Sequence, residues 1–208
     1  MILAVDTCLG ACSAAVTAGG RVLAARSEVM ERGHQERLAP LVREVMEAAG
    51  VAFADLTRIA VTVGPGSFTG LRVGLAFAKG MGLALERPVF GVGTLEALAA
   101  SASEVGPVAA VIDARREQVY LQPFRDGRAL DRSEALTAED AAARLQALGG
   151  GWMLVGSGAA LLAPHLTGAT VHARTTPDPA VVARLGATAP LSPPTPVYLR
   201  APDAKVPR

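Results

Sequence analysis

The segment that most constrains the fold spans residues 63–85 and reads VGPGSFTGLRVGLAFAKGMGLAL. A turn rich in glycine and proline leads directly into a helical pattern with a small residue at every fourth position. This small-residue stripe consists of Gly70, Gly74, Ala78 and Gly82. A glycine in a helix interior costs about 0.5–1 kcal/mol relative to alanine, so three of them require a compensating contact. We therefore expect another backbone to approach this face, and a closely crossing helix is the element that demands such spacing.

Composition limits the classes of protein that fit. The chain has 208 residues, enough for one large domain or two small lobes. Half of the residues are apolar and 19% are charged, which excludes disorder over most of the length. The net charge of +1 does not support a strong nucleic-acid footprint, so any RNA contact is expected to be local or supplied by a partner. Cys8 and Cys12 alone form neither a disulfide framework nor a zinc site.

The N-terminal residues and the apolar runs bear on location. The first twenty residues are apolar but lack a basic start and carry Asp6 within the run, unlike a signal peptide. No uncharged apolar run approaches the roughly 18 residues that suggest a spanning helix. We therefore expect a cytoplasmic protein with no membrane segment.

The apolar pattern predicts alternating strands and helices. Three strands open the chain, and helix 34–50, strand 58–63 and helix 69–85 follow them. A second strand-led set begins near residue 108, after a break near residues 101–107. The order predicts an α/β fold of two lobes, residues 1–103 and 104–208, each with a mixed sheet flanked by helices. The second lobe ends in a proline-rich extended tail.

Two stretches could bind phosphate. Asp6 and Thr7 end the first strand, where they could face a phosphate or its metal ion, or merely cap a turn. The turn containing Gly64, Gly66 and Ser67 resembles a phosphate loop at a helix N-terminus, but it lacks the Gly-Lys-Ser/Thr ending of a Walker loop. A structural turn is at least as good an interpretation.

Other polar residues give weaker signals. His34, His165 and His172 lack metal-ligand spacing, and no GxSxG motif supports nucleophilic hydrolysis. The segment DARREQVY, residues 113–120, is either a solvated hairpin tip or a polar cluster that faces a cleft between the lobes.

Helix 34–50 is amphipathic, with Leu38, Leu41, Val42 and Val45 on its apolar face. That face covers the chain's own sheet or drives association with a partner. The small-residue stripe on the next helix favours association.

Five motifs in this order resemble the TsaB (YeaZ) family over nearly the whole chain. They are DTC near the N-terminus, H-x-E-x-L-x-P at helix 34–50, GPGSFTGLR, DARRxxVY and PVYLRAPDAK. The resemblance implies two ribonuclease-H-like lobes of the actin and sugar-kinase superfamily. It also implies a role in making threonylcarbamoyladenosine, next to the anticodon of tRNAs reading codons that begin with A. In that family's pathway the paralogue TsaD transfers the threonylcarbamoyl group from threonylcarbamoyl-AMP, and TsaB is a non-catalytic partner that activates it together with the ATPase TsaE.

The resemblance also implies site residues. TsaD holds its metal with paired histidines on a helix, whereas His34 is followed by Glu36 and Leu38 with no second histidine. We therefore expect no catalytic residue, no metal and no required cofactor, with ATP or ADP at most at the interface of the complex. Helices 34–50 and 69–85 are expected to pack against the same pair on TsaD, or on a second copy of this chain. The interface residues carried over are Leu38, Leu41, Val42, Val45, Gly70, Gly74, Ala78 and Gly82.

The remaining alternatives use the same residues. Asp6, Thr7 and the turn Gly156-Ser157-Gly158 are expected to be relics of a phosphate cleft. An ATP-dependent kinase or ATPase of the same superfamily is the alternative function, and a metallopeptidase is disfavoured by the missing histidine. tRNA is expected to reach this chain only through the complex.

Overall fold

The computed structural model describes residues 1–102, 106–190 and 193–200. Its first sheet has five strands in the order β3-β2-β1-β4-β5. Strand β1 pairs antiparallel with β2 and parallel with β4, so the sheet is mixed. The strands are β1 Ile2–Asp6, β2 Ala11–Ala18, β3 Arg21–Val29, β4 Arg58–Thr62 and β5 Val89–Val92.

Helices cover both faces of this sheet. Helices α1 (His34–Ala49) and α2 (Phe68–Leu85) pack on one face through the largest apolar cluster in the described chain. Helix α3 (Thr94–Ser101) follows β5, and its leucines join a second cluster with residues of the second sheet. The core of the first sheet therefore lies between the sheet and the helices α1 and α2.

The second sheet has the order β11-β10-β6-β7-β8, and β9 also pairs with β7. Its core surrounds Trp152, whose indole N–H donates to the Leu145 carbonyl at 2.9 Å. The strands are β6 Pro107–Asp113, β7 Gln118–Arg125, β8 Arg128–Ala129, β9 Glu134–Thr137, β10 Met153–Val155 and β11 Thr170–His172. The helices are α4 Ala138–Ala147, α5 Ala159–Leu162 and α6 Pro179–Thr188, with short 3-10 turns at Phe53–Asp55 and Ala163–His165.

Most predicted elements are confirmed within two or three residues of their expected ends. The Thr137 side chain caps α4, accepting from the Asp140 N–H at 3.1 Å. Gly93 is the N-cap residue of α3, and the Thr94 hydroxyl accepts from the Gly64 N–H. The pairs formed by β8 and β9 were not predicted.

Helix α6 lies in an unexpected place. Sequence order assigned residues after 104 to the second lobe, but Val182 and Ala183 pack against Ala4 and Ala60 of the first sheet. Residues 193–200 also contact the first sheet, where the Val197 N–H donates to the Val63 carbonyl at 2.7 Å. The predicted lobe boundary at residues 103–104 and the tail end at 201–208 lie outside the described residues.

Candidate functional site

The apolar face of α1 is buried inside the chain. Leu38, Leu41, Val42 and Val45 are each at most 2% exposed and belong to the core that also holds β1 and β4. The prediction that these four side chains form a partner surface is therefore wrong, because their area is already removed from water by the chain's own sheet.

The small-residue stripe of α2 faces the same sheet. A Cβ built on Gly70 would overlap the Thr7 carbonyl, and one built on Gly74 would lie 2.6 Å from the Thr7 Oγ1. Ala78 is fully buried, and a Cβ on Gly82 would overlap the Val89 side chain. The expectation of a close backbone approach is confirmed, but its partner is the end of β1 and the start of β5. The stripe is therefore not a helix-crossing surface.

The opposite side of α2 is exposed and largely apolar. We call it the outer face of α2. It lies within one arc of the helix because its members recur at i, i+3, i+4 and i+7. Leu83 is 84% exposed, while two members are half-buried. The members of the outer face are Val73, Ala76, Phe77, Gly80, Leu83 and Ala84.

The sequence contained the signal for this face. Helix α2 is long and apolar enough to span a membrane by length and composition, although only part of it is buried. A helix that is apolar nearly all round buries more than one side. Our interpretation assigned the two sides in reverse, since glycine marks the sheet-facing side here.

The turn before α2 uses two of its backbone donors internally. The Gly64 N–H donates to Thr94 Oγ1 at 3.1 Å, and the Ser67 N–H donates to the Cys8 carbonyl at 2.7 Å. The Ser67 hydroxyl caps α2 by accepting from the Gly70 N–H at 3.3 Å. A Cβ on Gly66 would overlap the Cys8 carbonyl. These contacts favour a structural turn over the predicted phosphate loop at Gly64, Gly66 and Ser67.

Asp6 and Thr7 are fully buried beneath this turn. Asp6 Oδ1 accepts from the Thr62 hydroxyl at 2.5 Å and from the Cys8 N–H at 3.0 Å, and Thr7 Oγ1 donates to the Gly70 carbonyl at 2.6 Å. Burial raises the pKa of Asp6, and the hydrogen bond from Thr62 opposes that rise. Asp6 therefore joins β1 to the end of β4, and Thr7 joins the end of β1 to α2. The predicted phosphate-facing role does not match their burial.

Burial also changes the acidity of the Cys8 thiol, which lies beside Asp6. It raises the pKa of Cys8 to about 12, and the negative charge of Asp6 adds to the rise. The Cys8 thiol donates to the Thr62 carbonyl at 3.5 Å. This group is therefore a neutral core side chain rather than a nucleophile.

The turn Gly156-Ser157-Gly158 closes against β6. The Ser157 hydroxyl accepts from the Asp113 N–H at 3.1 Å, and the Gly158 N–H donates to the Val111 carbonyl at 3.0 Å. Ser157 is itself exposed at the end of β10. As in the turn before α2, these hydrogen bonds connect secondary-structure elements.

The segment after Asp113 forms the turn between β6 and β7. Arg115, Arg116 and Glu117 are exposed, and their φ values of 62, 54 and 61° lie in the left-handed region. The Asp113 carboxylate accepts from the Arg115 N–H at 2.7 Å and stabilises the turn.

Within residues 1–102, 106–190 and 193–200, no group of three or more His, Cys, Asp or Glu side chains could hold a metal ion. His34 begins α1, and its Nε2 lies 3.2 Å from the Leu9 carbonyl oxygen. Its imidazole therefore contacts the loop after β1.

Comparison with known proteins identifies the family of this chain. A family model described as TsaD, tRNA N6-adenosine threonylcarbamoyltransferase, matches residues 25–168. The tRNA threonylcarbamoyladenosine biosynthesis protein TsaB of Escherichia coli K12 is 38% identical over 165 residues, which cover 76% of this chain and 71% of that protein. The chain belongs to the TsaB family.

Solved structures of TsaB-family and other proteins agree with the fold. The structure of YeaZ from Pseudomonas aeruginosa has a TM-score of 0.82 and 33% identity, covering 95% of this chain and 99% of that one. Component A of (R)-2-hydroxyglutaryl-CoA dehydratase from Acidaminococcus fermentans, at 13% identity, has a TM-score of 0.53 over 89% of this chain and 95% of that one. The predicted α/β fold of the actin and sugar-kinase superfamily is confirmed.

Proposed function

We propose that this TsaB-family chain is a non-catalytic subunit in tRNA threonylcarbamoyladenosine biosynthesis. It activates a TsaD-like catalytic paralogue that transfers the threonylcarbamoyl group from threonylcarbamoyl-AMP to the adenosine next to the anticodon. The names of the relatives support the pathway. The single histidine at the start of α1 supports the absence of catalysis, because a helical metal pair needs a second ligand three or four residues away.

The proposal of a partner rests on the outer face of α2. Leu83 and its neighbours leave an apolar strip in water on a helix whose other side is fully packed. Burying a leucine of this exposure contributes about 1.5–3 kcal/mol to association. We place the TsaD-like paralogue on this face, and a second copy of the chain when that paralogue is absent.

The rest of the assembly follows from the same proposal. A TsaE-like ATPase and tRNA join through the complex, in the cytoplasm, and this chain needs no cofactor of its own. We place any bound ATP or ADP at the interface of the complex, because the Gly64 and Ser67 N–H groups already donate to acceptors within this chain. We place the lobes at residues 1–103 and 104–178, with α6 attached to the first.

Reconstitution of the modification from purified components tests the function. Product should form with this chain present and fall sharply without it. Equal amounts of product in both reactions would show that the proposed function is wrong. A Mg-ATP titration of the isolated chain separates the alternative of a kinase, which requires binding and turnover that we expect to be absent.

A matched pair of variants tests the surface. Leu83→Glu places a charge on the outer face of α2, whereas Leu161→Glu places one at an exposed leucine of α5 in the second sheet's half. We expect Leu83→Glu to weaken complex formation at least tenfold by sizing chromatography and calorimetry, with Leu161→Glu unchanged. If Leu83→Glu binds the paralogue as well as the parent chain does, the partner lies elsewhere.

A further inference from the structure

Residues 193–200 form an extended segment that we call the C-terminal strap. It begins at the edge of the first sheet, where Pro194 is buried 3.4 Å from the position of a Cβ built on Gly91 of β5. Further along, the Val197 N–H donates to the Val63 carbonyl at 2.7 Å. A Cβ on Gly64 would lie 2.6 Å from the Val197 carbonyl oxygen, so the strap requires glycine there. The first half of the strap is therefore attached to the first sheet.

The strap next contacts the first turn of α2. The Tyr198 ring lies 5.4 Å from the Phe68 ring, measured between centroids. Arg72 donates from Nε to the Tyr198 hydroxyl at 3.3 Å, and its guanidinium lies 3.7 Å above the Phe68 ring. These three exposed side chains pack on one another and attach the strap to the start of α2.

The last described residue of the strap reaches the second sheet. Arg200 Nη1 donates to the Ala114 carbonyl at 2.7 Å, in the turn between β6 and β7. Ala114 is buried, and its own N–H donates to the Gln118 carbonyl within the turn. A hydrogen bond from a cation is stronger than one between neutral groups. Eight residues thus span from the edge of one sheet to a turn of the other.

The two sheets already meet through α3. Leu95 and Leu98 pack with Val108, Ile112 and Phe124 of the second sheet. Leu9 of the loop after β1 packs on the same cluster, and the chain crosses from β11 to α6, which covers the first sheet. The Arg200–Ala114 hydrogen bond adds an attachment outside this cluster, at the turn between β6 and β7.

We propose that the C-terminal strap is a conformational latch that fixes the second sheet relative to α2, with Arg200 as its attachment to the second sheet. Release of Arg200 frees the turn after Asp113, loosens the strap back to Val197, and lets the second sheet rotate about α3. The latch is a property of this chain alone and does not depend on the identity of any partner.

Hydrogen exchange of the full chain measures the strap itself. Arg200→Ala should raise the exchange rate of the Val197 amide about tenfold, because it removes the charge-assisted bond that ends the strap. Tyr198→Ala should do the same through the loss of the Phe68 contact. Arg184→Ala is the matched control, since Arg184 is an exposed arginine of α6 that forms no hydrogen bond or ion pair with the described part of the chain.

A spin-label distance measures the rotation. Cys8 and Cys12 are fully buried, so labels attach selectively at Lys79→Cys on α2 and Glu139→Cys on α4, both exposed positions. The distance distribution should be narrow in the parent background and broader with Arg200→Ala, and Arg184→Ala should leave it unchanged. If Arg200→Ala alters neither the Val197 exchange rate nor the width of the distribution, the latch proposal is wrong. A faster Val197 amide with an unchanged distribution would also overturn it, since the strap would then be local.

Discussion

Two alanine substitutions in α2 test which side of the helix faces the sheet. Gly74 and Gly80 both lie in the interior of α2, six residues apart, so each change to alanine brings the same gain in helix propensity of about 0.5–1 kcal/mol. The two positions differ in surroundings. A Cβ at Gly74 would lie 2.6 Å from Thr7 Oγ1 and 3.5 Å from Val61 Cγ2, whereas one at Gly80 meets nothing within 4 Å.

The cost at Gly74 follows from the contact. The Thr7 hydroxyl is buried and donates to the Gly70 carbonyl at 2.6 Å, so it cannot move aside without losing that bond. Overpacking a core costs about 1–3 kcal/mol, and a buried hydroxyl left unsatisfied costs a similar amount. We expect Gly80→Ala to be about 0.5–1 kcal/mol more stable than the parent chain. Gly74→Ala should be less stable than Gly80→Ala by about 1–3 kcal/mol.

Urea unfolding and thermal melts of the two variants check this difference. For a chain of this length each kcal/mol corresponds to about 2–4 °C in Tm, so the two melts should differ by at least about 2 °C. A helix-crossing stripe makes the opposite prediction, since Gly74→Ala would then stabilise the monomer as much as Gly80→Ala and impair only assembly. Equal melting temperatures for the two variants would refute our assignment of the stripe to the chain's own sheet.

Three further predictions concern charges, a thiol and a cap. The hydrogen bond from Arg37 lowers the pKa of Glu44 to about 2, so this pair stabilises the folded chain above the ordinary carboxyl range and the stabilisation is lost as pH falls toward 2. Arg37→Ala should therefore remove a part of the acid dependence seen in urea titrations between pH 5 and about 2, whereas Arg43→Ala should not. Cys8 should resist alkylation in the native chain at pH 8 and react on unfolding, and mass spectrometry with and without urea reads the outcome. Thr137→Ala should cost about 1 kcal/mol in the free energy of unfolding through the lost cap of α4, and an unchanged melt would contradict that role.

The sequence predicted the elements of the first sheet because their signals are local. Small and β-branched residues on either side of the Gly19-Gly20 turn indicate β2 and β3, and helical spacing indicates α1. The family motifs then predicted the superfamily and the pathway of the relatives. All of these predictions rest on residues that are close together in the sequence.

Tertiary placement was less accessible. The apolar face of α6 predicts that Val182 is buried but does not say which sheet covers it. The strap has no periodic pattern, and its attachment to Ala114 joins residues 86 positions apart. The same limit explains the reversed assignment of α2, since the spacing of its glycines indicates a close approach but not the identity of the approaching backbone.

The correction strengthens the argument for an interface. If the small-residue stripe had faced a partner, the outer face would have covered the chain's own sheet. Helix α2 would then leave no apolar strip exposed to water. Because Gly70 and Gly74 allow the helix to sit directly on Thr7 while Leu71 and Leu75 fill the core, Leu83 is left exposed on the other side. A core helix gains nothing from an exposed leucine such as Leu83, whereas a helix shared between two chains needs one surface for its own sheet and another for its partner. The two faces of α2 meet both requirements.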